Sequence, residues 1–140
     1  RQKDTPFLKV FIEFRNTSDV AGLRRIRFTP DTIQAVVTDE RGAPLKASSP
    51  PYDGLSPRWE PLLLPFEGTM KFRISFSGMA YKPGRDRTII DFGVQSSWIV
   101  PNDRKYFISG VLIIPAKEGD HPSIDWSGSL NLPKVEIPTE

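Results

Sequence analysis

The sequence predicts an all-β fold, an antiparallel β-sandwich of about seven to nine strands in one domain spanning residues 1–140. Three observations lead there. Apolar and polar residues alternate with a period of two in several stretches. The 14 prolines and 10 glycines fall largely between those stretches. A helical period is hardly visible anywhere. Successive strand side chains point to opposite faces, so period two describes a half-buried strand. Proline and glycine supply the turns that separate short strands.

The elements follow in order. "FLKVFIEF" places Leu8, Val10, Ile12 and Phe14 on one face. "NTS" (Asn16 to Ser18) then reads as a turn, although it also fits the N-glycosylation acceptor pattern. "LRRIRF" (Leu23 to Phe28) is a shorter candidate strand. "TPDTIQAVV" opens with residues suited to a helix start, but Thr32, Ile33, Val36, Val37 and Thr38 are β-branched. Such side chains favour a strand, here residues 32–39, with a hairpin turn at "DERG". "PLLLPF" is another short strand. "GTMKFRISFSG" is the clearest of all, with Met70, Phe72, Ile74 and Phe76 alternating against Lys71, Arg73 and Ser75. "TIIDFGVQSSWIV" (88–100), "KYFISGVLII" (105–114) and "SIDWSGSLNL" (123–132) complete the set. "GRDRT" and "NDRK" read as solvated hairpin ends. The tail "LPKVEIPTE" reads as an edge strand or an exit to a linker.

"SGVLIIP" (109–115) recurs as "SGSLNLP" (127–133), which reads either as chance plus shared strand grammar or as two strands of a late hairpin. Gly110 and Gly128 are expected at bulges or close backbone approaches. The strand order, with one long irregular connection before "PLLLPF", resembles the Greek-key rhythm of immunoglobulin-like domains. The resemblance is one of architecture, since no Cys…Trp…Cys spacing is present.

Composition narrows the function. There is no cysteine, so disulfides, thiol nucleophiles and thiolate metal sites are excluded. The 19 basic and 17 acidic residues leave a net charge of +2. Outside "LRRIRF" the basic residues are spread out, so a nucleic-acid partner is not expected. No apolar run approaches the roughly 20 residues of a membrane helix, so no membrane span is expected. The first residue is Arg1 rather than methionine. With the fold class and the lack of cytosolic enzyme signatures, this gives the expectation of an exported chain, periplasmic, secreted or surface-anchored.

Two stretches carry candidate sites. "KEGDHPSIDW" holds Glu118, Asp120 and Asp125 around the only histidine, His121. Acids and an imidazole this close have the composition of a metal or catalytic cluster. They also have the composition of a turn, with Gly119 and Pro122 present for backbone reasons. Calcium needs about six to eight oxygens, and no calcium loop is spelled out. The expectation is a solvated turn with no metal and no cofactor. "KASSPPYDGLSPRWEP" (46–61) carries Tyr52, Arg58 and Trp59, residue types common in binding hot spots. These three are the expected interaction surface. The competing reading is a plain crossover between sheets.

Trp59, Trp98 and Trp126 also raise a carbohydrate platform. Trp98 and Trp126 are assigned to the core or its rim. No catalytic triad, phosphate loop or nucleotide fingerprint appears. The function expected is a non-catalytic binding or structural module that contacts protein. The alternatives are a carbohydrate-binding module using Trp59 and Tyr52, and a carboxylate-dependent hydrolase.

Overall fold

Period-two alternation becomes nine strands in the computed structural model, which describes residues 10–17, 22–28, 32–47, 61–73, 86–92 and 96–138. They are β1 (Phe11–Arg15), β2 (Arg24–Ile26), β3 (Ile33–Asp39), β4 (Leu62–Leu64), β5 (Thr69–Arg73), β6 (Arg87–Phe92), β7 (Ser96–Pro101), β8 (Tyr106–Ile114) and β9 (Gly128–Glu136). No described residue is in an α-helix. The strands pair as β1–β5, β2–β4, β3–β8–β9 and β6–β7, each antiparallel. The protein is all-β, and residues 33–39 form the strand that β-branching predicts.

The pairs β1–β5 and β2–β4 are separate two-stranded segments, together called the ribbon here, with registers Phe11↔Arg73 to Arg15↔Thr69 and Arg24↔Leu64 to Ile26↔Leu62. Asn16 joins them. Its peptide N–H donates to the Gly68 carbonyl and its own carbonyl accepts from Glu67, both at 3.0 Å. Its buried side-chain Nδ2 donates to the carbonyls of Leu64 at 3.1 Å and Gly22 at 3.2 Å. A glycan would have to be attached through that same nitrogen, so the acceptor reading of "NTS" gives way to the structural one. Removing the amide strands carbonyls out of water, and an orphaned buried group costs about 1–3 kcal/mol. Asn16→Ala should therefore lower the urea unfolding free energy by roughly that amount, with Asn16→Asp no better, because a carboxylate cannot donate.

In the three-stranded sheet, β8 lies between β3 and β9. The turn after β3 is the "DERG" hairpin. Asp39 Oδ1 accepts from the N–H groups of Arg41 and Ala43 at 2.9 Å, and Gly42 takes φ 82°. The two "SG…P" segments pair with each other in β8 and β9, with Gly110 opposite Leu132 and Ile114 opposite Gly128. The ladder slips by one residue between Ile108 and Gly110. The extra residue falls at Pro133–Lys134 of β9. Proline cannot donate to a ladder, so an edge strand with a bulge is where it is tolerated. Among the described strands the tail is thus an edge strand as far as Glu136.

Two expected strands need correction. Residues 88–100 are not one strand but the hairpin β6–β7, with Phe92 opposite Ser96. Gly93 interrupts the run, and a glycine between two β-rich runs marks a hairpin better than a strand. Residues 123–132 are not one strand either. Only the part from Gly128 onward is β9, and Trp126 lies before it. Met70 and Phe72 share a half-buried face of β5 as expected; Ile74 and Phe76 lie outside the described residues.

Buried side chains from all four pairings meet in one cluster. Phe14 and Leu64 of the ribbon, Val37 and Leu112 of the three-stranded sheet, and Ile90 and Trp98 of the β6–β7 hairpin all belong to it. Trp98 is 4% exposed, and its Nε1 donates to the Leu45 carbonyl. It is a core residue.

Candidate functional site

β2 begins the site. Period two turns Ile26 and Phe28 inward to the cluster and leaves Arg25 and Arg27 on the other face. Against that face and edge lies the segment between β8 and β9, residues 115–127, the stretch containing the acids and the histidine. Arg25 N–H donates to the Ile124 carbonyl at 2.8 Å, and Trp126 N–H donates to the Arg25 carbonyl at 3.0 Å. Arg25 and Asp125 thereby form a short parallel bridge.

The side chains repeat the match. Arg25 grips Asp125 through two parallel contacts, Nε to Oδ1 at 2.5 Å and Nη2 to Oδ2 at 2.8 Å. The Asp125 side chain is only 2% exposed. It also accepts the His121 N–H at 2.8 Å. Arg27 Nη2 donates to Asp120 Oδ2 at 2.7 Å and to the Pro115 carbonyl at 3.1 Å. Asp120 Oδ2 accepts the Lys117 N–H as well. A turn closes from Lys117 to Asp120, with Gly119 at φ 87°, which a side chain there would resist. His121 is exposed and shares a 2.7 Å hydrogen bond between Nδ1 and Ser123 Oγ.

The acids and the histidine therefore face different partners. Asp120 and Asp125 each hold an arginine of β2, while His121 turns to Ser123. Among the described residues no group of three or more His, Asp or Glu side chains converges on a point. The Arg25 guanidinium, and next the His121 N–H, hold the Asp125 carboxyl well below the usual carboxylate range. Asp125 raises the Arg25 pKa in return. An ionised Asp125 is a poor general acid near neutrality.

This latch has a pH signature. A carboxyl whose folded pKa is depressed stabilises the fold above its unfolded pKa of about 3.9 and loses that contribution as the pH falls further. Asp125→Asn should lower the thermal midpoint at neutral pH. Its difference from the wild type should shrink steadily below about pH 4. A difference that stays constant down to strongly acidic pH would mean the carboxylate contributes nothing through its charge.

Beside the latch opens a groove of about 1120 Å³. One wall is β1 with the two residues after it, positions 12–17 without a gap. The other is positions 130–132 of β9. Alternate residues of a strand point to opposite faces, so an unbroken run lining one groove means that the strand meets it edge-on. Ile26, Leu64 and Leu112 lie behind it in the core, and Asp125 and Trp126 border it beside the latch. Among the described strands β1 pairs only with β5, and β9 only with β8. Asn16 directs its peptide hydrogen bonds toward β5, and by alternation Glu13 and Arg15 present theirs to the opposite edge. Leu130 is 51% exposed on β9.

Of the residues singled out in the sequence, Tyr52, Arg58 and Trp59 lie outside the described residues. The acidic turn is described, and its partners are the basic run "LRRIRF". Arg25, Arg27 and the β1 and β9 residues of the groove were not among the site candidates, whereas Asp120, Asp125 and Trp126, which also line it, were. The arginines had one available signal, their spacing by two on a single face. The chain has no match among known protein families, curated proteins or solved structures.

Proposed function

We propose that the chain is a non-catalytic binding module that holds a protein partner in the groove between β1 and β9. Its four pairings belong, in this proposal, to an antiparallel sandwich with immunoglobulin-like Greek-key order. Support for the sandwich comes from the one hydrophobic cluster to which the ribbon, the three-stranded sheet and the β6–β7 hairpin all contribute. Support for binding comes from one observation above the rest. Two strands that each have one partner among the described strands border the same open groove, and Leu130 is half exposed in it. Exposed edges favour pairing with another chain unless something covers them. Export is part of the same proposal, and fractionation of cells producing the full-length protein checks it.

The test is selection of a random peptide library on the immobilised chain, with Leu130→Arg as the counter-selection. Leu130 is half exposed, so the arginine can be accommodated while projecting into the groove. Peptides that bind the wild type and not the variant support the reading. No enrichment, or enrichment unaffected by the variant, overturns it. Binding to a glycan array in place of peptides would favour the carbohydrate class.

A further inference from the structure

Resting on that reading, we infer that residues 115–120 are a gate on the groove, held shut by Arg27 and free to swing out, while residues 123–126 stay fixed. Both halves belong to the segment packed against β2, but they are held differently. The inner half is clamped through backbone and side chains together. Arg25 exchanges peptide hydrogen bonds with Ile124 and Trp126. It also grips Asp125 twice, and Arg24 Nη1 donates to the Ser123 carbonyl at 3.0 Å. Asp125 is buried, and Ile124 and Trp126 are half-buried.

The outer half has no such anchor. Positions 115–119 are all exposed, so they bury no apolar side chain. A single atom, Arg27 Nη2, donates to both Asp120 Oδ2 and the Pro115 carbonyl. Arg27 Nε is buried with no partner among the described residues, so closure leaves one donor unsatisfied. The side chains of Arg27 and Asp120 are 28% and 20% exposed, against 2% for Asp125. Little apolar burial and accessible hydrogen bonds mark segments that open locally. His121 is the hinge, since its N–H and carbonyl are tied to Ile124 and Asp125 of the inner half. The turn from Lys117 to Asp120 keeps its own hydrogen bonds and can move as one body. Ala116, Lys117 and Asp120 line the groove, so opening removes part of its lining. A guest that touches them binds the closed state better and shifts the gate shut.

The chain has no cysteine, so paired spin labels can be placed without background. One pair joins Glu118→Cys to Arg104→Cys, and a control pair joins Ser123→Cys to Arg104→Cys. All three positions are exposed and outside the lining of the groove. Distances by double electron–electron resonance should show one population for the control pair throughout. Arg27→Met, and independently Asp120→Asn, should create or enlarge a second population for the Glu118 pair. About 0.5 M salt should do so more weakly, because a partly exposed ion pair is screened. A peptide enriched from the library on the wild type should restore the closed population. Its Kd for Arg27→Met should rise by the reciprocal of the closed fraction that the distances give. Arg27 does not line the groove, so that loss passes through the gate.

A Glu118 distance unmoved in both variants would overturn the gate. Movement of both label pairs together would mean that the whole segment lifts as one, and would overturn the fixed inner half. If the second population appears but Arg27→Met binds the peptide as tightly as the wild type, the binding module stands and its regulation falls. If the library enriches no peptide, the module falls and the gate has nothing to regulate, whatever the distances show.

Discussion

Phe28→Ala is expected to lower the unfolding free energy by about 3–5 kcal/mol, among the largest losses a single truncation gives. Phe28 is 2% exposed at the inner end of "LRRIRF". Its ring meets Phe14 edge-on, with centroids 5.0 Å apart at 63°, and Phe72 at 5.9 Å. Phe14 and Phe72 close the triangle at 6.2 Å and 66°. Edge-to-face pairs add about 0.5–1.5 kcal/mol beyond the area they bury. The three rings come from the segment after β2, from β1 and from β5. They pack together the two ribbon segments that Asn16 joins by hydrogen bonds. Collapse into the vacated space is limited, because Phe14 and Phe72 are held by separate backbone segments. Phe28→Leu keeps most of the volume and should cost less than half as much. Equilibrium urea unfolding measures both. A loss below about 1 kcal/mol for the alanine variant would mean that the ring is not core. Phe14 also lines the groove, so Phe28→Ala should weaken peptide binding at temperatures where the variant is still folded.

The strands that period two makes plain are those with one face in the cluster and one in water. β1 buries Ile12 and Phe14 and exposes Phe11, Glu13 and Arg15. β3 follows its β-branched residues against a tolerable helix start. The pattern fails where both faces are covered or where the polar partner is itself apolar. In β6, Thr88, Ile89 and Ile90 are all buried, so no alternation announces where the strand ends. A break at Gly93 was the available sign. "SIDW" misleads in the opposite way. It alternates like a strand, yet Asp125 is buried as an arginine's partner and not as part of a ladder face.

The site was less legible than the strands for a physical reason. Composition placed three acids and a histidine in one turn, and turn chemistry correctly accounted for Gly119. Nothing local says what a carboxylate will face. Arg25 and Asp125 are 100 positions apart in the chain. Their meeting depends on where β9 leaves β8, which tertiary packing decides. A basic run and an acidic turn, each unexplained alone, satisfy one another. The groove is harder still, since its walls are defined by which strands lack a neighbour among the described ones; Pro133 marks the tail as an edge, but nothing comparable marks β1.

Gly110→Val should lower stability by about 2–3 kcal/mol, and the sign is the informative part. Intrinsic β-propensity argues the other way. Valine is favoured and glycine disfavoured in strands, on a scale spanning about 1 kcal/mol. Gly110 sits inside the central strand β8, opposite both Ala35 of β3 and Leu132 of β9. Propensity alone would make valine an improvement there. Space decides against it. A Cβ at Gly110 would lie 2.7 Å from the Gln34 carbonyl oxygen and 3.3 Å from Ala35 Cα, both backbone atoms that cannot swing aside. β3 must move, and its ladder to β8 with it. Gly110→Ala should fall the same way with a smaller loss, since it adds only the Cβ. A stabilised valine variant by urea unfolding would show that β3 yields without cost, and would return the position to propensity. The consequence reaches the groove, because β8 is the one partner of β9 among the described strands, and Leu132 of β9 pairs with Gly110. Displacing that pair moves one wall of the groove. Gly110→Val should therefore weaken binding of library peptides selected on the groove even where the protein remains folded, although residue 110 itself does not line the groove.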